Sequence, residues 1–151
     1  MTESSLKTRL TDAIKDAMRA QDKPRLMTLR LALSDLQRVE IDERIEVDDA
    51  RLVQIIDKMI KQRRDSWRQF SDASRHDLAD VEAAEIVVLQ DFMPTPLSEA
   101  EIGHLIEQAI VDSGAQGMSD MGKAMAVLRP QVQGRADMAL ISQRLKASLS
   151  S

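Results

Sequence analysis

The segment closest to a known chemical motif is Gly117–Ala124, which reads GMSDMGKA. It comes near the phosphate-binding loop G-x-x-x-x-G-K-[ST], in which backbone amides hold phosphates and the final hydroxyl group binds magnesium. Ala124 stands where that hydroxyl is needed, and Met118, Met121 and Met125 keep a helical period through the segment. A true loop also follows a buried strand, and no strand is predicted here. The sequence therefore predicts no nucleotide hydrolysis at this segment.

Other reactive side chains are few. The chain has no Cys, which excludes disulfides, thiolate metal sites, thiol nucleophiles and iron–sulfur clusters. His76 and His104 do not have the spacing of metal ligands. Glu82 and Glu85 could in principle transfer protons, but they are predicted to lie on a solvated helix face without an activating environment. We predict no catalytic residue, no metal and no cofactor.

Length and composition place the chain among soluble globular proteins. It has 151 residues, of which 43% are hydrophobic and 30% are charged, enough to bury a proper core. No run approaches the ~18 apolar residues of a membrane span, and residues 1–10 lack the apolar region of a secretory signal. We therefore expect a cytoplasmic protein without a membrane partner.

Charge and aromatic content limit how the chain could hold nucleic acid. The net charge is −4, so any contact with a polyanion must come from a local patch of cations. Three aromatic residues are too few for the stacking surfaces that bind single-stranded bases. Base-by-base recognition is therefore not expected.

Hydrophobic residues recur at helical spacing along the whole chain and never alternate with period two over a strand's length. The sequence predicts an all-α protein that begins with an antiparallel bundle of about four helices. Asp22, Asp48 and Asp77 are the predicted starts of helices two, three and four. The predicted apolar positions of the four helices are Leu6, Leu10, Ile14 and Met18; Leu26, Leu29, Leu33 and Leu36; Leu52, Ile55, Ile56, Met59, Ile60, Trp67 and Phe70; and Leu78, Val81, Val88, Leu89 and Phe92.

Composition changes near Pro94 and Pro96, since all five Gly lie beyond residue 100 and three of the four Pro lie beyond residue 93. A Pro-x-Pro pair makes a short stiff joint, so we predict an N-terminal bundle over residues 1–93 and a three-helix domain over 97–151. Ser98 and Glu101 form a capping-box pattern, and Gly114 is expected to end that helix. A second helix is predicted from Met118 and a third, containing Leu140, after Gly134 and an Asp137 cap.

The main basic patch lies near the carboxyl end. Residues 118–151 carry five cations against Asp120 and Asp137, for a net charge of +3. These cations are Lys123, Arg129, Arg135, Arg144 and Lys146. A glycine turn that leads into a helix, as at Gly134-Arg135-Ala136-Asp137, can present free amides to a phosphate. The same residues also fit a plain joint between helices in which Asp137 occupies the cap, and the sequence leaves both interpretations open.

Two further surfaces could contact a partner. A secondary basic stripe on the third helix consists of Lys58, Lys61, Arg64 and Arg68. It could hold phosphates, although a solvated face neutralised by Asp57 and Asp72 is the favoured interpretation. Five of the nine Met fall between Met93 and Met138, and packing in an aromatic-poor core explains them more simply than a groove that binds another protein.

Eight segments, taken in order, resemble the YqeY-like family over nearly the whole chain. They are Lys61–Ser66, Gln69–Phe70, Asp77–Ala79, Glu82–Leu89, Phe92–Pro94, Leu97–Glu99, Asp120–Lys123 and Gly134–Asp137. The second module also resembles the C-terminal tail domain of the B subunit of the glutamine-dependent aspartyl/glutamyl-tRNA amidotransferase, a carbon–nitrogen ligase. That resemblance implies an all-helical protein of two domains with a link to tRNA.

Gly122, Lys123, Gly134, Arg135 and Asp137 match the motif shared with that tail domain. With Arg129 and Lys146 as further phosphate contacts, they suggest a non-catalytic accessory module that binds tRNA, because the amidotransferase's catalytic cradle has no counterpart in this chain. In this hypothesis Lys123 and Arg135 contact phosphates, while the two glycines permit close approach of the backbone. The alternative is an adaptor that binds another protein and no RNA. The sequence does not predict an oligomeric state.

Overall fold

The computed structural model describes residues 5–150, and every regular element in that range is helical. The prediction of an all-α protein is confirmed. The helices are α1 (Leu6–Arg19), α2 (Lys23–Glu43), α3 (Asp49–Asp72), α4 (His76–Gln90), α5 (Glu99–Ser113), α6 (Met121–Val132) and α7 (Met138–Ser150), with a 3₁₀ turn at Met118–Asp120. Within the same range, none of these helices combines the length and the apolar character that crossing a bilayer requires.

The chain divides into two compact units, the N-terminal unit Met1–Met93 and the C-terminal unit Pro94–Ser151. The predicted domains include residues 1–4 and 151, which lie outside the described part of the chain. Independent folding of each unit, and a bundle arrangement of the first, stay predictions that unfolding experiments can test.

The core of the N-terminal unit comes from α1–α4, together with Val47 in the loop between α2 and α3 and Phe92 just after α4. Two helix starts predicted from Asp residues are confirmed. The Asp22 carboxylate accepts from the Arg25 amide at 3.2 Å, and that of Asp48 accepts from the Arg51 amide at 2.8 Å. The large apolar side chains that are fully buried here are Leu10, Leu29, Leu36, Leu52, Ile56 and Leu89.

One carboxylate joins three parts of this unit. Glu40 Oε2 on α2 accepts from Lys7 Nζ on α1 at 2.9 Å and from the amide of Val47 at 3.0 Å. The hydrogen bond from Lys7, followed by that from Val47, lowers the pKa of Glu40 below its ordinary value. Because the folded pKa lies below that of the unfolded chain, this contribution to stability is present at neutral pH and is lost on acidification.

The C-terminal unit packs α5, α6 and α7 around its own core. The predicted capping box is present, since Ser98 Oγ accepts from the Glu101 amide at 3.1 Å and the Ser98 amide donates to Glu101 Oε1 at 3.2 Å. Helix α5 ends at Gly114 as predicted, with φ at +71°. Leu128, Val132, Ile141 and Leu145 are fully buried in this core.

Two predicted helix starts are wrong. Helix α4 begins at His76 after Arg75, because the Ala79 amide already donates to the Arg75 carbonyl at 3.0 Å. Asp77 lies inside the first turn, where the Arg75 guanidinium holds its carboxylate at 3.1 Å, so it does not act as the N-cap. The chain from Met118 first forms a 3₁₀ turn, and α6 starts only at Met121.

Five residues assigned to apolar helix positions are exposed. A local apolar period does not show how far a neighbouring helix extends over each position, so the ends of these faces stay uncovered. Ala17 and Ala79 are buried near two of them instead. The exposed residues are Met18, Trp67, Val81, Met118 and Leu140.

The left-handed backbone of Gly114 gives a first testable prediction. An Ala at φ +71° is strained, so Gly114→Ala should destabilise the protein by about 1 kcal/mol. Gly117→Ala is the matched control, because Gly117 has φ −171° and a Cβ there would meet nothing within 4 Å. Thermal unfolding followed by circular dichroism should show a lower unfolding temperature only for Gly114→Ala. An equal decrease in both variants would contradict this account of Gly114.

Candidate nucleic-acid interface

Helix α6 places two cations of the main basic patch on its solvent side. Ala124, Met125, Leu128 and Val132 form its buried face. Lys123 and Arg129 are exposed, and their six-residue separation makes the side chains diverge by about 120° around the helix. The two cations therefore flank the outer face of α6 and do not converge on one point.

Lys146 lies on α7 and is also exposed. The short turn over residues 133–137 joins α6 to α7, so the start of α7 lies beside the end of α6. Helix α7 also contacts the 3₁₀ turn that leads into α6, and this contact must come from its carboxyl half. Lys146 and Lys123 therefore lie toward the same end of the unit, with Arg129 nearer the other.

Arg135 has a structural role that its sequence position does not reveal. Its Nε donates to the Thr95 carbonyl at 3.1 Å, and its own carbonyl accepts from the Leu97 amide at 2.8 Å. The turn before α7 is thereby tied to the first residues of the unit. Gly134 has φ +77°, so this turn itself accounts for the glycine.

No backbone angle or close contact in the fold accounts for the glycine at position 122. It is the second residue of α6, it is exposed, and a Cβ added to it would meet nothing within 4 Å. Glycine is less favourable than alanine in a helix. The packing of this unit therefore does not require a glycine at position 122.

The acids of this segment are engaged with backbone amides. Asp120 Oδ2 accepts from the Gln116 amide at 3.0 Å, and Asp137 Oδ1 accepts from the Ala139 amide at 2.9 Å at the start of α7. Asp137 therefore occupies the helix end, which favours the cap interpretation over a free phosphate site there. Neither carboxylate forms an ion pair with the cations of the patch within residues 5–150.

Ion pairing differs sharply between the two units. In the described part of the chain, all nine ion pairs lie in the N-terminal unit. Acids of the C-terminal unit concentrate on α5, which carries Glu99, Glu101, Glu107 and Asp112 and no Lys or Arg. Lys123, Arg129 and Lys146 thus present side chains to solvent that no carboxylate of the described residues pairs with, which leaves them available to phosphates.

Arg144 is partly exposed, and its guanidinium lies against α5. Its Nη1 donates to the Glu99 carbonyl at 3.5 Å, and its Nη2 would lie 3.3 Å from a Cβ at Gly103. Glycine at position 103 leaves room for this guanidinium over α5.

On the same helix, hydrogen bonds from the amide and then the hydroxyl of Ser98 lower the pKa of Glu101, with a smaller effect from the charge of Arg135.

The secondary basic stripe on α3 is partly neutralised. Lys61 pairs with Asp57 at 3.1 Å as the spacing suggested, whereas Arg68 approaches Asp65 at 3.8 Å and not Asp72. Lys58 and Arg64 are exposed. The stripe therefore offers less free charge than its sequence implies.

A partly buried ion pair between α3 and α4 was not predicted from the sequence. Arg63 Nε donates to Glu85 Oε2 at 2.8 Å, and their side chains are 14% and 28% exposed. The sequence feature that could have indicated this pair is the spacing of Glu82 and Glu85, which fall on the same face of α4 as the apolar residues Leu78 and Leu89.

No group of three or more His, Asp or Glu side chains in residues 5–150 is placed to hold a metal ion.

Comparison with known proteins gives a family match and several relatives. The model of a family described as YqeY-like protein matches residues 7–149. Relatives named "Altered inheritance of mitochondria protein 41, mitochondrial" occur in Pyrenophora tritici-repentis and Kluyveromyces lactis. The first is 30% identical over 91% of this chain and 77% of its own length, and the second is 32% identical over 92% and 73%. A protein of the same name in Clavispora lusitaniae is 36% identical over 53% of this chain and 46% of its own length.

The prediction of a cytoplasmic protein is wrong, because these relatives are named as mitochondrial. The lack of an apolar region in residues 1–10 excludes only a secretory signal. Mitochondrial targeting segments are amphipathic and rich in Arg and Ser, so a missing apolar region says nothing about that compartment.

Proposed function

The chain belongs to the YqeY-like family, and we propose that it is a non-catalytic accessory module that binds tRNA through the cations of its C-terminal unit. The observation that carries this proposal is the distribution of ion pairs. Lys123, Arg129 and Lys146 are exposed and reach no carboxylate among the described residues, whereas cations of the N-terminal unit repeatedly pair with acids. Free surface cations release bound counterions from RNA when they contact phosphates, and this favours binding.

In this proposal the contacts are made to phosphates and not to bases. Lys123 and Lys146 supply point charges toward one end of the unit, and Arg129 adds a planar guanidinium on the other flank of α6. The scarcity of aromatic residues in the chain agrees with recognition of RNA by shape and backbone. Gly122 would let a phosphodiester backbone approach the surface of α6 closely.

A triple substitution tests the proposal. Lys123→Gln, Arg129→Gln and Lys146→Gln together should weaken binding of a labelled tRNA transcript at least roughly tenfold at low salt. The slope of log affinity against log salt should fall by about 3, one for each lost phosphate contact. Filter binding at several salt concentrations measures both quantities.

A matched control separates local contacts from net charge. Lys15→Gln, Arg19→Gln and Lys23→Gln remove the same charge from exposed positions of the N-terminal unit. This control should keep most of the affinity. Equal losses in the two triple variants, or no salt dependence in the unchanged protein, would contradict the proposal. Arg135 is left intact, because replacing it would also break its bond to Thr95.

Gly122→Ala offers a second, independent test. The new methyl group meets no other atom of the chain within 4 Å, so the variant should be as stable as the original protein or more stable by about 0.5 kcal/mol. If RNA approaches α6 closely, the same variant should bind tRNA more weakly. Unchanged affinity would exclude close approach at this position.

The relation to the glutamine-dependent amidotransferase enters this proposal only as an association. We propose that the chain carries or positions tRNA and does not form the amide bond itself. Purified protein incubated with glutamine, ATP and mischarged tRNA should yield no amidated product. Formation of that product would contradict the non-catalytic part of the proposal.

A further inference from the structure

Residues 61–85, here called the α3–α4 arm, lie outside the hydrophobic core of the N-terminal unit. The buried positions of α3 end at Ile60, and the first residue of α4 that packs against that core is Ile86. Ala79 is 2% exposed yet belongs to neither of the two core clusters of the described chain. The two helices of the arm therefore pack mainly on each other.

The arm leaves large apolar side chains open to solvent. The Arg63–Glu85 ion pair sets the register of the antiparallel helices, which puts Phe70 level with Leu78 and Trp67 level with Val81. Trp67 is 43% exposed and Val81 is 54% exposed. Exposed Trp on a rigid helix is among the residues that contribute most to protein interfaces.

A carboxylate without a partner lies in the same region. Glu82 is half-buried, and no hydrogen bond or ion pair from the described residues reaches it. The nearby Arg63 already donates to Glu85 and to the Met59 carbonyl. Burial, and then the charge of Glu85, raise the pKa of Glu82. One guanidinium thus faces two carboxylates, and this part of the arm carries an excess negative charge.

Charge decides which class of partner fits this surface. The arm contains five basic and six acidic side chains, a net charge of −1, and Lys61, Arg63, Arg68 and Arg75 are already paired. Of the arm's charged side chains outside any ion pair, Arg64 is basic, whereas Asp72, Asp80 and Glu82 are acidic. A polyanion would meet Glu82 and Glu85 beside Trp67, which is unfavourable. A cation placed among apolar side chains would instead satisfy the unpaired carboxylate and cover the exposed apolar surface.

We propose that the α3–α4 arm is a docking surface for an amphipathic helix of another protein. That helix presents a Lys or Arg to Glu82 and apolar side chains to Trp67 and Val81. Recognition of a helix through one apolar face with spaced anchors is an established way of binding peptides. This inference goes beyond the proposed binding of tRNA and does not depend on it.

A library of helical peptides tests the inference with the whole protein. The library consists of 18-residue helices displayed on phage, with six positions of one face randomised. Selection on the immobilised chain should enrich peptides that carry Lys or Arg between apolar residues. A selected peptide, made synthetically, should change the fluorescence of Trp67, the one tryptophan of the chain.

Variants of the chain then locate the contact. Glu82→Gln should weaken binding of that peptide at least tenfold in calorimetry, and Trp67→Ala should do the same. Asp80→Asn, which neutralises an exposed carboxylate on the same helix, should change the affinity less than twofold. Circular dichroism should show that all three variants keep their helical content.

Four results would overturn the inference. They are failure to enrich any peptide, enrichment of peptides without a basic residue, affinity that survives Glu82→Gln, and displacement of the selected peptide by a single-stranded RNA oligonucleotide. The last result would assign the arm to nucleic acid and not to protein.

Discussion

Replacing Leu128 with alanine is expected to unfold the C-terminal unit and leave the N-terminal unit folded. Leu128 is completely buried between α5, α6 and α7. Removing a buried leucine side chain costs about 3–5 kcal/mol through lost transfer energy and the remaining cavity. A domain of this small size has a total stability of similar magnitude, so the variant should lose the helicity of α5–α7 near 37 °C.

Two spectroscopic signals separate the units in this experiment. Circular dichroism reports all helices, whereas Trp67 fluorescence reports only the N-terminal unit. For Leu128→Ala, part of the helical signal should melt early while the Trp67 transition stays in place. Leu36→Ala, at a fully buried position of α2, should shift the Trp67 transition instead. If both signals move together in either variant, the two units unfold as one, and the prediction of independent domains is wrong.

Replacing Arg63 with leucine is expected to cost about 2–3 kcal/mol. The value is below the 3–5 kcal/mol of a fully buried pair, because the Glu85 side chain is still 28% exposed. Without the guanidinium, Glu82 and Glu85 would lie one turn apart on α4, beside a partly buried seam, with no compensating charge from α3. Chemical denaturation followed by Trp67 fluorescence measures the loss directly.

The double variant Arg63→Leu with Glu85→Leu should recover most of that stability. It removes both charges, so no unpaired carboxylate from this pair stays in the seam. Arg68→Leu is the exposed control, since its ion pair is 3.8 Å long with both side chains 71% exposed, and it should change stability by less than about 0.5 kcal/mol. A double variant as unstable as Arg63→Leu alone would show that the guanidinium acts through packing and not through charge.

The parts of the fold that the sequence predicted well depend on local signals. Asp22, Asp48, Ser98 and Gly114 mark helix ends through hydrogen bonds or backbone angles within a few residues of themselves. Such contacts form in any helix with the same flanking residues. The starts of α2 and α3 and both ends of α5 could therefore be predicted before any tertiary contact was known.

The errors arise at residues whose burial or pairing depends on other side chains of the folded unit. Exposure of Met18 and Val81 depends on how far neighbouring helices extend, and this is not encoded in a local period. The Asp77 error is different, because both Asp77 and Arg75 were visible and only their mutual ion pair removed the cap.

The candidate interface was only partly predictable for the same reason. Lys123, Arg129 and Lys146 could be found from sequence, but whether a carboxylate neutralises them depends on packing. Arg63 pairs with a residue 22 positions away, and Arg135 donates to one 40 positions away. The sequence therefore identifies the cations, and the three-dimensional contacts decide which of them keep a free charge.

The bond between Arg135 and Thr95 has a consequence for synthesis of the chain. A ribosome releases Thr95 and Leu97 long before residue 135, so the start of α5 emerges without the turn that later holds it. Closure of the C-terminal unit must wait until residue 135 has left the exit tunnel. A chain that stops before residue 135 would lack both bonds that hold the segment before α5, which leaves this segment accessible to chaperones and proteases.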